Sequence, residues 1–420
     1  MIPLTALAPP CTNSIKRNLK FHFMEFFVAR GLCVTIDFLL TEEQRLLRDT
    51  VRSFAEAQVG PLAAEIDRTG DFPRRLYGAM AEMGLYGLMV PDELGGAGGD
   101  TVMQGLVQEE LARFSGTIAN LQVSAHESAL TLSEHAPPTV AKHYMAKVMS
   151  GEMVPSFALT EPTAGSDAAG IRTTAQLVGD KFVVSGAKQF VTFGAVADFC
   201  IVLAVTDPAS EKDRVSAILI DLDAPGVTIG KQEDLVGVRG TATAPITFDD
   251  VVVPAGNLIG QLGKGLRLGL SQIDKGRIAT AGMAVGIAQG ALEAAMSYAL
   301  QRQQFGRPIF EFQAVQFKLA QMAMRIDAAR LLYVSAAKLR DQGGSSARAS
   351  SQAKLFGSET AAWVTDEALQ LFGGYGYVRD NPIERYWRDA KITQIYEGTS
   401  NIQHLIIARQ LFKEAKENAK

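Results

Sequence analysis

The sequence predicts a multidomain α+β fold: an all-α N-terminal domain, a middle antiparallel β domain and a C-terminal antiparallel four-helix bundle. Three observations carry this. Apolar residues recur at helical intervals to about residue 155. Short valine-, isoleucine- and phenylalanine-rich runs then appear between glycine, proline and aspartate, and from about Gly263 the helical period returns and holds to the end. With 420 residues, 47% hydrophobic and 20% charged, the chain can bury a sizeable core divided among two or three domains.

Residues 1–34 are set apart as an extension of uncertain status. Lys16, Arg17, Lys20 and Arg30 oppose a single acid, Glu25, and they interrupt any apolar span short of the ~18 residues a membrane helix needs. A membrane anchor and a secretory signal fit poorly. An organellar transit peptide, or a start placed too early with Met24 as the alternative, both remain open.

The helical domain is expected over 35–155. Thr41-Glu42-Glu43-Gln44 has the form of a capping box, with Leu47, Val51 and Phe54 following at helical spacing. Gly60-Pro61 is expected to interrupt this helix and Phe72-Pro73 to open another. Residues 91–99, rich in glycine, form a loop before a further helix near Met103 to Arg113. The β domain is expected over 156–262, with strands at 153–159, 171–178, 181–185, 198–206, 215–221 and 246–253 and a hairpin turn at Gly179-Asp180. Over 263–420, three apolar stripes read as long helices: Ala288 to Ala299, Val315 to Ile326, and Ala361 to Leu371. They are separated by breaks at Gly306-Arg307-Pro308, Gly343-Gly344-Ser345 and Gly373-Gly374.

A net charge of −4 without runs of like charge points to neither nucleic acid nor a membrane as partner. Cys11, Cys33 and Cys200 form no C-x-x-C pair and no even framework, which favours a reducing compartment and no structural zinc. Cys200, in an apolar run, reads as a small core residue.

Several stretches carry possible chemistry. Tyr396-Glu397-Gly398-Thr399-Ser400 sets a carboxylate beside a residue whose backbone can approach a ligand closely; it is either a solvated loop acid or a base. The loop from Ala158 to Asp167 offers backbone N–H groups and hydroxyls to a polar ring or pyrophosphate, or is a simple turn. In Lys188-Gln189-Phe190-Val191-Thr192-Phe193-Gly194, an extended backbone would put Phe190 and Thr192 on one face, to stack a flat cofactor or to pack on a helix. Asp274 and Arg277, three apart, share a helix face and form an ion pair or a ligand contact. Arg302 and Arg307 suit a helix C-terminus and a phosphate equally.

Taken together, ALTEPTAGSD, KQFVTFG, the Asp274–Arg277 pair, RQQFGRPI, QLFGGYGY and RDAKITQIYEGTSNIQ stand in the order and spacing of the acyl-CoA dehydrogenases. The chain resembles that family over about 35–415, and the helical, β, helical order is also that family's architecture. The resemblance implies FAD, contacted by Leu159, Thr160 and Ser166, with Ser166 also near the substrate. Phe190 and Thr192 would flank the isoalloxazine. Arg302, Phe305, Gln313 and the Gln370–Gly374 segment, including Gly373, would bind the FAD of a neighbouring subunit. Thr399 and Asn401 match positions at the adenosine end, Asp274 and Arg277 positions that grip CoA, and Gly398 lies against the substrate.

Glu397 matches the family's catalytic base. Some members carry that base on the long helix just before the arginine equivalent to Arg277; here that position is Gly276. The implied reaction is α,β-dehydrogenation of an acyl-CoA thioester to a trans-2-enoyl-CoA, by α-proton abstraction and β-hydride transfer to FAD N5. The implied partners are acyl-CoA and electron-transferring flavoprotein, and the implied assembly is a homotetramer built as a dimer of dimers. The place of action would be the cytoplasm of a bacterium or the mitochondrial matrix of a eukaryote. Other readings are an acyl-CoA oxidase using O2, a flavin monooxygenase-like member of the same fold, and a helical scaffolding protein without redox chemistry. Tyr375 and Tyr377 hint at a filled, shorter acyl pocket. No arginine stands between Asn120 and Ser128 to pair a second carboxylate. A short, branched, cyclic or aromatic acyl group is expected.

Overall fold

The computed structural model describes residues 36–418 apart from residue 211; the extension expected over 1–34 lies outside the described residues. Helix α1 (Glu42–Phe54) starts at the expected capping box: the Thr41 hydroxyl accepts from the Gln44 N–H at 3.2 Å, and Gln44 Oε1 accepts from the Thr41 N–H at 3.0 Å. The expected break at Gly60-Pro61 does not occur. Ala55–Val59 form a π turn, and the chain continues as α2 (Gly60–Thr69) with Pro61 in its first turn. The widened turn accommodates a residue that lacks an N–H and would crowd the carbonyl four residues back.

Helices α3 (Arg74–Glu82), α4 (Thr101–Ala112), α5 (Gly116–His135) and α6 (Pro138–Met149) complete the first layer. Helix α4 is buried on nearly every side because it lies against α7 (Gly265–Gln301) and α8 (Gln313–Asp341). Backbone meets backbone at that crossing. An added Cβ would lie 2.1 Å from the Glu109 carbonyl at Gly286 and 2.5 Å from the Gly105 carbonyl at Gly282. Buried Glu109 accepts from Arg330 Nε at 2.8 Å and the Tyr333 hydroxyl at 2.6 Å, joining α4 to α8. Removing one member of such a pair costs about 3–5 kcal/mol, because the other charge is left buried alone.

The middle sheet contains β1 (Pro155–Ala158), β2 (Thr174–Val178), β3 (Lys181–Val191), β4 (Phe199–Val205), β5 (Val215–Asp221), β6 (Val227–Ile229), β7 (Ala244–Pro254) and β8 (Leu258–Ile259). Its order is β6-β7-β3-β2-β4-β5-β8, with β1 beside β4. The Gly179-Asp180 hairpin forms as expected, pairing Val178 with Lys181. The expected antiparallel arrangement needs one correction: β1 pairs β4 in parallel, and Thr174 meets Val205 in parallel. The chain leaves β1 through a long loop and the β2–β3 hairpin before it returns, and a crossover of that length brings the strand back in the same direction. Strands β4 and β5 are buried almost throughout, which is why they read as unbroken apolar runs. Cys200 is buried among them, and burial raises its thiol pKa. Strands β6 and β8 are too short to leave a sequence pattern.

The last layer is the bundle of α7, α8, α9 (Ala347–Phe372) and α11 (Ser400–Asn418), with α10 (Ile383–Ile392) packed against α9 and α7. Helix α7 is apolar and long enough to cross a membrane by composition, yet 83% of its most apolar window is buried inside the protein. The expected breaks all fall between helices; the Gly306 break carries a small hairpin, β9 (Gln303–Gln304) with β10 (Arg307–Pro308). Helix α10 ties the three layers together. Arg388 makes a bidentate bond to Asp67 of α2, both contacts 2.7 Å, while Asp389 Oδ1 accepts from the Val238 N–H at 2.7 Å. The turn that follows α10 is therefore anchored before it reaches the cleft.

Candidate active site

Between α10 and α11 the backbone takes two successive left-handed residues, Glu397 (φ 53°) and Gly398 (φ 86°). A non-glycine residue there carries strain of about 1–3 kcal/mol, which persists only when its surroundings hold it. Gln403 Nε2 donates to the carbonyls of Glu397 (3.0 Å) and Gly398 (2.8 Å), and Lys354 Nζ donates to the Gly398 carbonyl at 2.7 Å. A Cβ on Gly398 would sit 2.8 Å from that Gln403 nitrogen. The turn thus needs glycine at 398, and it presents the Glu397 side chain inward.

Glu397 opens onto a cleft of about 120 Å³, lined by Ser124, Glu127, Ser128 and Thr131 of α5, Ser156 and Phe157 of β1, Thr192 and Phe193 just beyond β3, and Gln272 and Ile273 of α7. Burial raises the Glu397 carboxyl to about 7, while the nearby charges of Arg277 and Lys354 pull it down. Its Oε2 is buried without a hydrogen-bond partner among the described residues. Burial lowers the Lys354 ammonium to about 8 against the opposing pull of Glu397. A second carboxyl, Glu127, faces the first, and burial together with the Glu397 charge pushes it well above the ordinary range. The two converge where Gly276 has no side chain: an added Cβ would lie 2.7 Å from Glu397 Oε2 and 3.0 Å from Glu127 Oε1.

The loop after β1 is pinned to β3 by a buried ion pair. Lys188 Nζ donates to Glu161 Oε1 at 2.8 Å and to the Leu159 carbonyl at 3.0 Å, and the Glu161 carboxylate also accepts from the backbone of Arg172 and Thr173. Burial works to raise the Glu161 pKa, but Lys188 and those N–H groups hold it below the usual range. Leu159 and Thr160 are left half-buried and Ser166 exposed.

The expected shared face of Phe190 and Thr192 is not formed. The β3–β7 register shifts between Lys188 and Val191, and Phe190 turns to φ 55°, so the strand's alternation stops there. Phe190 is 62% exposed and Thr192 lines the cleft. The hydroxyls of Thr160, Ser166 and Thr192 enter no hydrogen bond among the described residues. An exposed aromatic plane with free hydroxyls around it fits a flavin ring and its polar chain.

Other expected site residues stand elsewhere. Arg302, Phe305, Gln313, Gln370, Gly373 and Gly374 are outside the cleft lining, on the C-terminal bundle, where the Arg302 guanidinium lies 5.4 Å from the Tyr375 ring and Phe305 is 93% exposed. Tyr375 and Tyr377 do not fill the acyl pocket. They sit on an exposed 3-10 turn, 56% and 86% accessible, because the Gly373 break turns the chain outward there. Thr399 and Asn401 flank the base turn, half-buried and exposed respectively. The Asp274–Arg277 pair forms at 3.1 Å, and Asp274 also accepts from Ser346 (3.1 Å) and Ser350 (2.7 Å). Glu127, Lys354 and Gln272 were missed. A glutamate among serines and alanines, or a lysine on a long helix, ordinarily faces water, and nothing local marks these as inward-facing.

Comparison with known proteins agrees with this geometry. Models of the N-terminal, middle and C-terminal domains of acyl-CoA dehydrogenase match residues 41–152, 156–251 and 263–412. The short-chain specific acyl-CoA dehydrogenase of Clostridium acetobutylicum is 42% identical over 380 residues, 90% of this chain and 100% of that protein. The butyryl-CoA dehydrogenase structure from Megasphaera elsdenii superposes with a TM-score of 0.86 at 36% identity, covering 89% of this chain and 99% of that one. A chain solved in work on the electron transferring flavoprotein of Acidaminococcus fermentans gives 0.87 at 41%, with coverages of 89% and 99%. The chain belongs to the acyl-CoA dehydrogenase family, FAD-dependent oxidoreductases acting on CoA thioesters.

Proposed function

We propose that the protein dehydrogenates a short acyl-CoA thioester, with Glu397 as the base that takes the α-proton. One observation carries this: Glu397 Oε2, buried and unpartnered among the described residues, faces the same cleft as Thr192 just beyond β3. Bound FAD supplies the acceptor for the two electrons and the β-hydrogen. Leu159, Thr160, Ser166, Phe190 and Thr192 would hold its ring side, and Thr399 and Asn401 its adenosine end.

The protein's own part is proton chemistry and orientation. A carboxyl near pKa 7 is a stronger base than an ordinary glutamate and still half-ionised at neutral pH. The Glu397 N–H in that strained turn enters no hydrogen bond among the described residues, and it would serve as a preorganised donor for the thioester oxygen as negative charge gathers there. Arg277 and Lys354 supply the positive field that keeps the base ionised. The short-chain and butyryl-CoA enzymes among its relatives support a short acyl group. The Acidaminococcus neighbour supports electron-transferring flavoprotein as the oxidant. Half-buried Arg302 and the exposed Phe305, Gln313, Gln370, Gly373 and Gly374 would complete the cofactor site of an adjacent subunit in a homotetramer.

Glu397→Gln tests the base. The variant should retain FAD and lose anaerobic bleaching by acyl-CoA; bleaching at the wild-type rate would refute the assignment.

A further inference from the structure

Helix α5 gives the cleft a polar wall where a plain alkyl chain would call for an apolar one. Ser124, Glu127, Ser128 and Thr131 all face the cleft from α5. The three hydroxyl protons are already used within the helix, donated to Asn120 Oδ1, the Ser124 carbonyl and the Glu127 carbonyl. What these side chains still offer is lone pairs.

The carboxyl of Glu127 enters no hydrogen bond among the described residues. Gln272, across the cleft on α7 and only 4% exposed, points the same way: its Nε2 approaches Glu134 Oε2 at 3.4 Å, which orients the amide and leaves Oε1 buried without a partner among the described residues. With Glu397 Oε2 also unpartnered among the described residues, the cleft presents acceptor oxygens that the protein itself leaves unpaired. Leaving such groups unpaired in a buried site is unfavourable, and a ligand bringing a donor would remove that cost.

We propose that Glu127 selects short acyl-CoA thioesters whose acyl chain carries a hydrogen-bond-donating group, a hydroxyl or an ammonium, beside the reacting carbons. This rests on acyl-CoA dehydrogenation in the same cleft. The position follows from Gly276, around whose missing side chain the carboxyls of Glu127 and Glu397 meet. A base at the α-carbon then puts Glu127 within reach of the γ-carbon. A hydroxyl there donates to Glu127 and can accept from its protonated form; an ammonium binds the ionised form.

The test is anaerobic flavin reduction by butyryl-CoA, 4-hydroxybutyryl-CoA and 4-aminobutyryl-CoA, read as kcat/KM for the wild type, Glu127→Leu and Glu127→Gln. The wild type should favour one γ-substituted thioester over butyryl-CoA by about tenfold or more, since a site built to hydrogen-bond a substrate group rejects the analogue lacking it. Glu127→Leu should remove that preference by improving butyryl-CoA relative to its polar partners. Glu127→Gln separates the two donors, retaining a preference for the hydroxyl and losing one for the ammonium. Butyryl-CoA turned over by the wild type as well as both analogues overturns the proposal even if the leucine variant does not fold, and so does a ratio unmoved in a folded Glu127→Leu. Butyryl-CoA bleaching alone leaves the acyl-CoA dehydrogenase reading standing. Bleaching by none of the three removes both.

Discussion

Replacing Gly276 by alanine should cripple the enzyme without unfolding it. The new methyl would lie 2.7 Å from Glu397 Oε2, 2.9 Å from Glu397 Cδ and 3.0 Å from Glu127 Oε1. All three atoms are at the ends of flexible side chains, so the carboxyls move and helix α7 does not. To reach an ordinary contact near 3.4 Å, the Glu397 carboxylate must retreat about 0.7 Å. A misplacement of about 1 Å can cost 100-fold, so ~0.7 Å predicts a loss near 25-fold in the rate of flavin reduction, or ~2 kcal/mol in the barrier. Alanine is also the better helix former by about 1 kcal/mol, which should hold or raise the melting temperature. The assay is stopped-flow reduction with the preferred acyl-CoA, alongside thermal unfolding and the FAD spectrum. An unchanged reduction rate in a folded, yellow variant would refute the placement of the base against Gly276.

Four further outcomes are expected. The free enzyme's kcat/KM for flavin reduction should rise with pH through about 7, because the raised Glu397 carboxyl must ionise to act; a profile flat from pH 6 to 8 counts against Glu397. The same shift makes the folded state hold a proton that the unfolded chain releases between 4.5 and about 7. This contribution to stability is therefore full below 4.5 and lost as pH rises through about 7, at most ~3 kcal/mol before allowance for the open cleft. Glu397→Gln should flatten that part of the stability curve. Lys188→Met, which leaves Glu161 buried and unpaired, should cost about 3–5 kcal/mol and weaken FAD retention, and the double variant with Glu161→Gln should recover part of the loss; a single variant as stable as wild type would contradict the pinning of the loop. Phe305→Ala, at a 93% exposed position, should leave subunit stability within ~0.5 kcal/mol yet make FAD and the assembly dissociate at higher protein concentration, as measured by dilution and sedimentation. Unaltered dissociation would remove Phe305 from the proposed shared site.

Much of this architecture was legible in the linear order of residues. Helical and strand periods are local, so the capping box at Thr41, the Gly179-Asp180 hairpin and the long helices between glycine breaks could be read directly, and the motif order through Glu397 carried the family. Tertiary structure decided the rest. Gly60-Pro61 stayed within a continuous helix because a π turn absorbed it, and Phe190 broke the alternation near the end of β3 because the register shifts there and its backbone turns to positive φ. Tyr375 and Tyr377 faced outward. The meeting of Glu127 with Glu397 at Gly276 depends on α5, α7 and the turn after α10 packing together. A carboxyl's neighbours across such a junction are fixed by the packing of distant segments, and no local pattern encodes them.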